Sequence, residues 1–255
     1  MTKPLVSIVT VVYNGAENIE ETILSIINQD YNKIQYIIID GGSKDNTLDI
    51  INKYQEKIDI LISEPDKGIY DAMNKALPLC KGEWINFMNV GDLFYDSTSL
   101  SKIFNTFREH SSIIYGNHQV MYPKYLINKF PRPLNKIWKG MPMQHQSIFV
   151  HKNIFEKLKF DIKFKFAADY DLIFYSYKNG SSFTYINENI CKVSANGFSE
   201  SNSVSTYLEF KNISLKYDNR LSHRIYFILL IPFRKFVFFI KQRININHLF
   251  YNFRF

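Results

Sequence analysis

The chain has 255 residues, 46% hydrophobic and 22% charged, an ordinary globular composition with length enough to bury one large core. Its net charge of +7 lies after Asp218, where Arg220, Arg224, Arg234, Lys235, Lys241, Arg243 and Arg254 meet no acidic residue; residues 1–218 balance at 24 of each sign. A neutral body excludes a nucleic-acid groove across it, and the two cysteines, Cys80 and Cys191, exclude a disulfide framework and point to a reducing cytoplasm.

Met1-Thr2-Lys3-Pro4 runs directly into a strand, so no secretory leader is expected. Leu5 to Val12 is a continuous β-branched run, as a strand buried on both faces of a parallel sheet requires. Tyr13-Asn14-Gly15 breaks it, and Ile19, Ile23, Ile26 and Ile27 give helical spacing across Ala16 to Asn28. A second strand, Ile34 to Ile39, ends in Asp40-Gly41-Gly42-Ser43, and Asp45-Asn46-Thr47 offers a cap for a helix running to Tyr54. A third strand, Ile58 to Ile62, leads into Ser63-Glu64-Pro65-Asp66-Lys67-Gly68. A helix from Ile69 to Leu79 precedes a fourth strand, which starts at Trp84 and stops abruptly in Asn89-Val90-Gly91-Asp92. This alternation predicts βαβ units in a doubly wound α/β sheet.

The second half is less regular. A strand from Ser111 to Tyr115 is followed by a loop-rich excursion, Tyr122 to Met143, holding four of the eight prolines. Strand character resumes at Ile148 to Val150, and Asp169 to Lys178 reads as a helix. Two short strands, Ser182 to Ile186 and Ile190 to Val193, come before a polar segment from Ser194 to Ser205.

Each of the first four strands ends in polar groups: Tyr13 and Asn14, Asp40, Asp66 and Lys67, then Asp92. Ligands of an open parallel sheet sit beyond those ends, and one polar cluster per strand suits a mononucleotide with a bound cation. Asp92 follows a glycine that lets the backbone approach closely, and suits one ligand position on Mg²⁺ or Mn²⁺, whose other positions go to substrate phosphates. Its competing role is to cap the helix at Asp96-Ser97. No G-x-G-x-x-G follows the first strand and no Walker A loop is present, which argues against a dinucleotide oxidoreductase or a P-loop NTPase.

Four stretches, Val6 to Asn14, Ile38 to Thr47, Ser63 to Asn74 and Asn89 to Asp92, resemble in order the successive motifs of the family 2 glycosyltransferases. The resemblance is strong over residues 5–110 and thinner to about 200. It implies the GT-A fold, a Rossmann-like, mostly parallel sheet with helices on both faces, and inverting sugar transfer from a nucleotide donor. By position it implies that Thr10, Tyr13 and Asp40, with Asn14 and Lys67 nearby, cradle the nucleoside. Asp66 would contact ribose or base, and Asn74 or Lys75 the donor's phosphates or sugar. Asp92 matches the metal-binding member of the family's D-x-D element, although Gly91 stands where many relatives have a second carboxylate.

Inverting transfer needs a base on the acceptor hydroxyl. Phe166-Ala-Ala-Asp-Tyr-Asp-Leu172 resembles the family's late acidic motif at a helix start, where Asp169 matches the base and Asp171 competes with it. Both could instead serve only to favour a helix N-terminus. Met141 to Phe149 resembles a segment of polysaccharide-assembling relatives, in which His145 would touch diphosphate or acceptor. Gly197-Phe198-Ser199 falls where relatives carry a mobile loop over the donor.

The tail reads IYFILLIPFRKFVFFIKQR from Ile225, and its apolar runs are too short and interrupted for a spanning helix of about 20 residues. Apolar bulk laced with Arg and Lys fits a helix lying among lipid headgroups; a buried C-terminal helix or an oligomer contact is the alternative. The expected organisation is a GT-A domain over 1–218, with a nucleotide-sugar half at 1–110 and an acceptor half at 111–218, and a basic amphipathic tail over 219–255. The expected protein is cytoplasmic and peripheral on the inner membrane face. It would move a sugar from a UDP-sugar to a polyprenyl-diphosphate-linked glycan in surface-polysaccharide assembly. The rivals are an inactive nucleotide-sugar-binding protein, suggested by the reduced acidic motif, and a nucleotidyltransferase of related fold.

Overall fold

The first four strands pair in parallel, each followed by a helix, and the inner three are almost wholly buried, whereas the outermost is half exposed. β1 (Val6–Val12) lies between β2 (Ile34–Asp40) and β4 (Trp84–Phe87), with β3 (Ile60–Ser63) outside β2. All seven β1 residues are buried. The structure is a computed structural model describing residues 3–106, 111–195 and 203–244.

Beyond β4 the pairing turns antiparallel. β8 (Ile148–His151) joins β4 to β6 (Ile113–Tyr122), β9 (Phe183–Ser194) runs parallel to β6, and the short β5 (Leu93–Phe94) closes the edge, giving the order β3-β2-β1-β4-β8-β6-β9-β5. β7 (Tyr125–Lys129) forms a hairpin with the far half of β6. Two antiparallel steps restore direction, so β6 and β9 finish at the same edge of the sheet as β1 to β4.

Alternate residues feed two cores. Val9, Val11, Ile85 and Phe87 face α3 (Ile69–Ala76) and α6 (Ala168–Lys178); Ile8, Val12, Ile38 and Trp84 face α1 (Ile19–Ile27) and α4 (Ser99–Thr106). α2 (Thr47–Asn52) and α5 (Lys152–Phe155) are short connectors. α7 (Ser203–Tyr217) packs Ile213 into the first core, and α8 (Leu221–Ile244) follows it.

Three elements differ from the sequence expectation. The loop-rich excursion begins with the β6–β7 hairpin, because β7 is largely exposed and lacks apolar alternation. The two short late strands are one strand, β9, interrupted by irregular register opposite Gly116 to His118. α7 was not legible because its apolar residues do not gather on one side.

Candidate active site

The loops after β1 and β2 are stitched together. Asn14, in the left-handed region at φ 49°, accepts from the Lys44 N–H at 2.8 Å and donates its own N–H to Ser43 Oγ at 2.8 Å. Gly15 N–H donates to Thr47 Oγ1 at 2.9 Å and Ala16 N–H to Asp45 Oδ2 at 3.1 Å. This lattice leaves the Tyr13 ring standing out at 62% exposure. Beside it, Gly41 has room for no Cβ: one would strike Asp66 Oδ2 and come within 3.4 Å of Tyr13 Cβ. Tyr13, Gly41 and Asp66 therefore form one small recess, an exposed aromatic face next to a carboxylate. Asp66 is held there by Gly68 N–H, which donates to Oδ1 at 2.8 Å, and Gly68 adopts φ 117° to start α3.

Asp92 sits where β4 gives way to β5. Gln146 Nε2 donates to its Oδ2, and the Ser194 backbone also bonds it. Burial pushes its carboxyl up to about 7, against those two hydrogen bonds. Gln146 is itself fixed: its amide oxygen accepts from Gln144 Nε2 at 2.7 Å, and its backbone oxygen accepts from buried Asn86 Nδ2 at 3.0 Å. Asn89, in the same turn as Asp92, leaves Oδ1 buried and without a partner among the described residues.

Asp169 lies on the other side of the same segment. Its Oδ1 accepts from the Tyr70 hydroxyl at 2.8 Å, and its Oδ2 stands 3.3 Å from His145 Nδ1. Burial opposes its ionisation, but the His145 ring and the Tyr70 hydroxyl outweigh it and hold the carboxyl below its ordinary value. His145 and Gln146 are adjacent in one 3₁₀ turn, so the two carboxylates are approached by neighbouring residues.

Several expected site residues also make bonds within the scaffold. Thr10 is fully buried beneath α1 and bonds the Tyr36 hydroxyl at 3.1 Å. Asp40 is also fully buried, and its oxygens are taken by Gly42 and Ser43 N–H and by the Ser43 and Ser63 hydroxyls. Asn74 donates to Phe160 O at 2.9 Å and accepts from Phe160 N–H at 3.0 Å, using both ends of its amide. Lys75 bonds Pro65 O and Glu64, each at 2.8 Å. Lys67 is exposed, and its N–H donates to Asp71 at 2.9 Å. Asp171 points away from Asp169 to pair with Lys216 on α7 at 2.9 Å. Gly197 lies outside the described residues. Tyr70 and Gln146 were not singled out from the sequence; each stands inside a quoted motif, but only the fold reveals its partner.

One cation could be held by Asp92 Oδ with Asn89 Oδ1, two hard oxygen donors, one short of charge balance and the other unpaired. Among the described residues no group of three His, Cys, Asp or Glu gathers for a metal.

Four parallel strands that end at one edge of a sheet continued by antiparallel strands place the protein among the mixed α/β folds, in which ligands sit beyond such strand ends. The Glycosyl transferase family 2 profile matches residues 7–166. A PGL/p-HBAD biosynthesis glycosyltransferase of Mycobacterium bovis is 28% identical over 177 residues, 67% of this chain and 69% of its own. An uncharacterised glycosyltransferase of Rickettsia typhi is 30% identical over 185 residues, 67% of this chain and 58% of its own. Among solved structures, S. aureus TarS 1–349 in complex with UDP-GlcNAc superposes with a TM-score of 0.68 at 18% identity, over 92% of this chain and 73% of that one. The mannosyltransferase PcManGT from Pyrobaculum calidifontis, in complex with GDP-Man and Mn²⁺, gives 0.69 at 17% identity, over 91% and 72%. The chain belongs to glycosyltransferase family 2, with the GT-A fold, and is a transferase.

Proposed function

We propose that the chain transfers one sugar, with inversion, from a UDP-sugar to a polyprenyl-diphosphate-linked glycan in surface-polysaccharide assembly. Residues 1–110 supply the donor side and residues 111–218 the acceptor side. The observation that carries the reading is that Gln146 holds Asp92 while its neighbour His145 holds Asp169. On this reading a metal-side carboxylate and a base-side carboxylate border one crevice.

The Tyr13 ring and Asp66 receive the nucleoside base, and Asn14 keeps their loop in place. Asp92 and Asn89 would hold Mn²⁺ or Mg²⁺. When bound, the ion neutralises charge building on the departing nucleoside diphosphate. Asp169 takes the proton of the acceptor hydroxyl at a carboxylate oxygen. Tyr70 and His145 keep it ionised, so it is ready at neutral pH. Attack from the base side, opposite the leaving group, inverts the transferred carbon.

Asp169→Asn should bind UDP-sugar as tightly as wild type and lose about 10²–10⁴ in kcat. Unchanged turnover would move the base elsewhere. Donor binding by wild type with no transfer to any acceptor would favour the binding-protein rival.

The tail supports a membrane location. Leu221, Ile225, Ile228, Leu229, Phe233 and Phe236 are exposed on α8, whereas Phe227 and His223 are buried against the body. His223 stacks on Trp138 at 3.7 Å. Among the described residues no helix is long and apolar enough to cross a membrane. An anchored helix with a bare apolar side and basic residues suits the headgroup region of the inner membrane face, where each basic residue contributes about 1 kcal/mol against anionic lipid.

A further inference from the structure

We infer that the face of the sheet formed by β6, β7 and β9 is the acceptor platform, which takes uncharged sugar rings lying behind the accepting hydroxyl; this rests on the transferase reading above. Side chains alternate across a strand, so Ile113, Tyr115, Asn117 and Gln119 of β6 share one side. The first two enter the core beneath α6, the helix that carries Asp169. The next two continue past that core as polar residues. Register sets Asn189 opposite Asn117 and Asn128 opposite Gln119.

These amides form two hydrogen-bonded groups. Gln119 Nε2 donates to Asn128 Oδ1 at 2.9 Å, and Asn189 Nδ2 donates to the same oxygen at 3.4 Å. Asn117 Nδ2 donates to Asn187 Oδ1 at 3.1 Å, and the Tyr185 hydroxyl stands 2.8 Å from Asn117 Oδ1. Asn117 and Gln119 are buried, whereas Asn128, Asn187 and Tyr185 are exposed. The buried pair therefore fixes the outer pair. Among the described residues, nothing accepts from the Nδ2 groups of Asn128 and Asn187, which leaves fixed donors facing solvent beside an exposed tyrosine ring.

Neutral amide donors match sugar hydroxyls, and a ring face matches the C–H side of a pyranose. A phosphate would call for guanidinium or ammonium groups. Lys192, on the same side, lies over the Tyr95 ring at 5.1 Å. Position selects the acceptor rather than an unrelated glycan. β9 ends at Ser194, which bonds Asp92 and whose Oγ donates to Gly91 O at 3.2 Å. From Asn117 to Met121 the strand advances about 13 Å, longer than one ring, so a glycan lying along it points its end into the crevice.

The test is transfer of radiolabel from UDP-sugar to a cell-envelope extract of the source cells, using the full chain. In the double variant Asn128→Ala/Asn187→Ala, the extract concentration for half-maximal transfer should rise about tenfold or more, with maximal rate and UDP binding unchanged. The two changes take acceptors from the buried Gln119 and Asn117 amides, so the rates are compared at a temperature well below the variant's own unfolding temperature. An unchanged dependence on extract, or a loss confined to maximal rate, overturns the platform alone. A wild-type chain that transfers no label overturns the functional reading and the platform with it.

Discussion

Asp169 and Asp171 stand two residues apart and end in opposite surroundings, one against Tyr70 and His145, the other against Lys216. Helical geometry makes that separation legible in the sequence, which is why the late acidic motif offered one candidate base rather than two acting together. Asp40 was not legible in the same way: the Ser63 hydroxyl that claims it is 23 residues distant. Because partners hold Asp169 ionised, its contribution to stability is present above about pH 4 and is lost as pH falls through its lowered value. The gap in unfolding temperature between wild type and Asp169→Asn should therefore be flat from about pH 5 to 7 and narrow below about pH 4; a gap that widens on acidification would contradict the assignment. Gly41→Ala tests the nucleoside recess. Its Cβ would displace Asp66, and UDP affinity by calorimetry should fall about tenfold, or about 1.4 kcal/mol. Full affinity would remove Asp66 from the recess.

Among elements, the parallel half of the sheet was readable because β-branched runs, caps and polar strand ends repeat with one period. The antiparallel half was not, since β7 is exposed on most of its length and β9 breaks register at its polar middle. Asn74 shows how an element can borrow a motif residue. From α3 it clamps the backbone of Phe160, 86 residues away, which positions the segment leading to Asp169. Asn74→Ala should cost about 1–3 kcal/mol and lower the unfolding temperature, with the donor KM unchanged. A raised donor KM at full stability would return Asn74 to the phosphates.

For the whole molecule, charge and exposure divide the labour. A neutral body carries the crevice, and all the excess positive charge lies beyond Asp218, where α8 bares Ile228 and Leu229 at 64% and 68% exposure. Composition shows where the charge lies, but not that Phe227 and His223 are buried within the helix that carries it. Ile228→Glu/Leu229→Glu should keep the unfolding temperature and stop the chain floating with anionic vesicles. Co-flotation equal to wild type would end the membrane proposal.

On the proposed function, Asp92 and Asp169 serve one pocket from either side of the His145-Gln146 turn. Anomalous scattering from a crystal grown with Mn²⁺ and UDP measures this most directly. The predicted result is a manganese peak at Asp92, with the diphosphate between it and the Asp169 side of the crevice. A manganese–UDP complex bound away from Asp92, or one that leaves Asp169 facing a separate cavity, would contradict it.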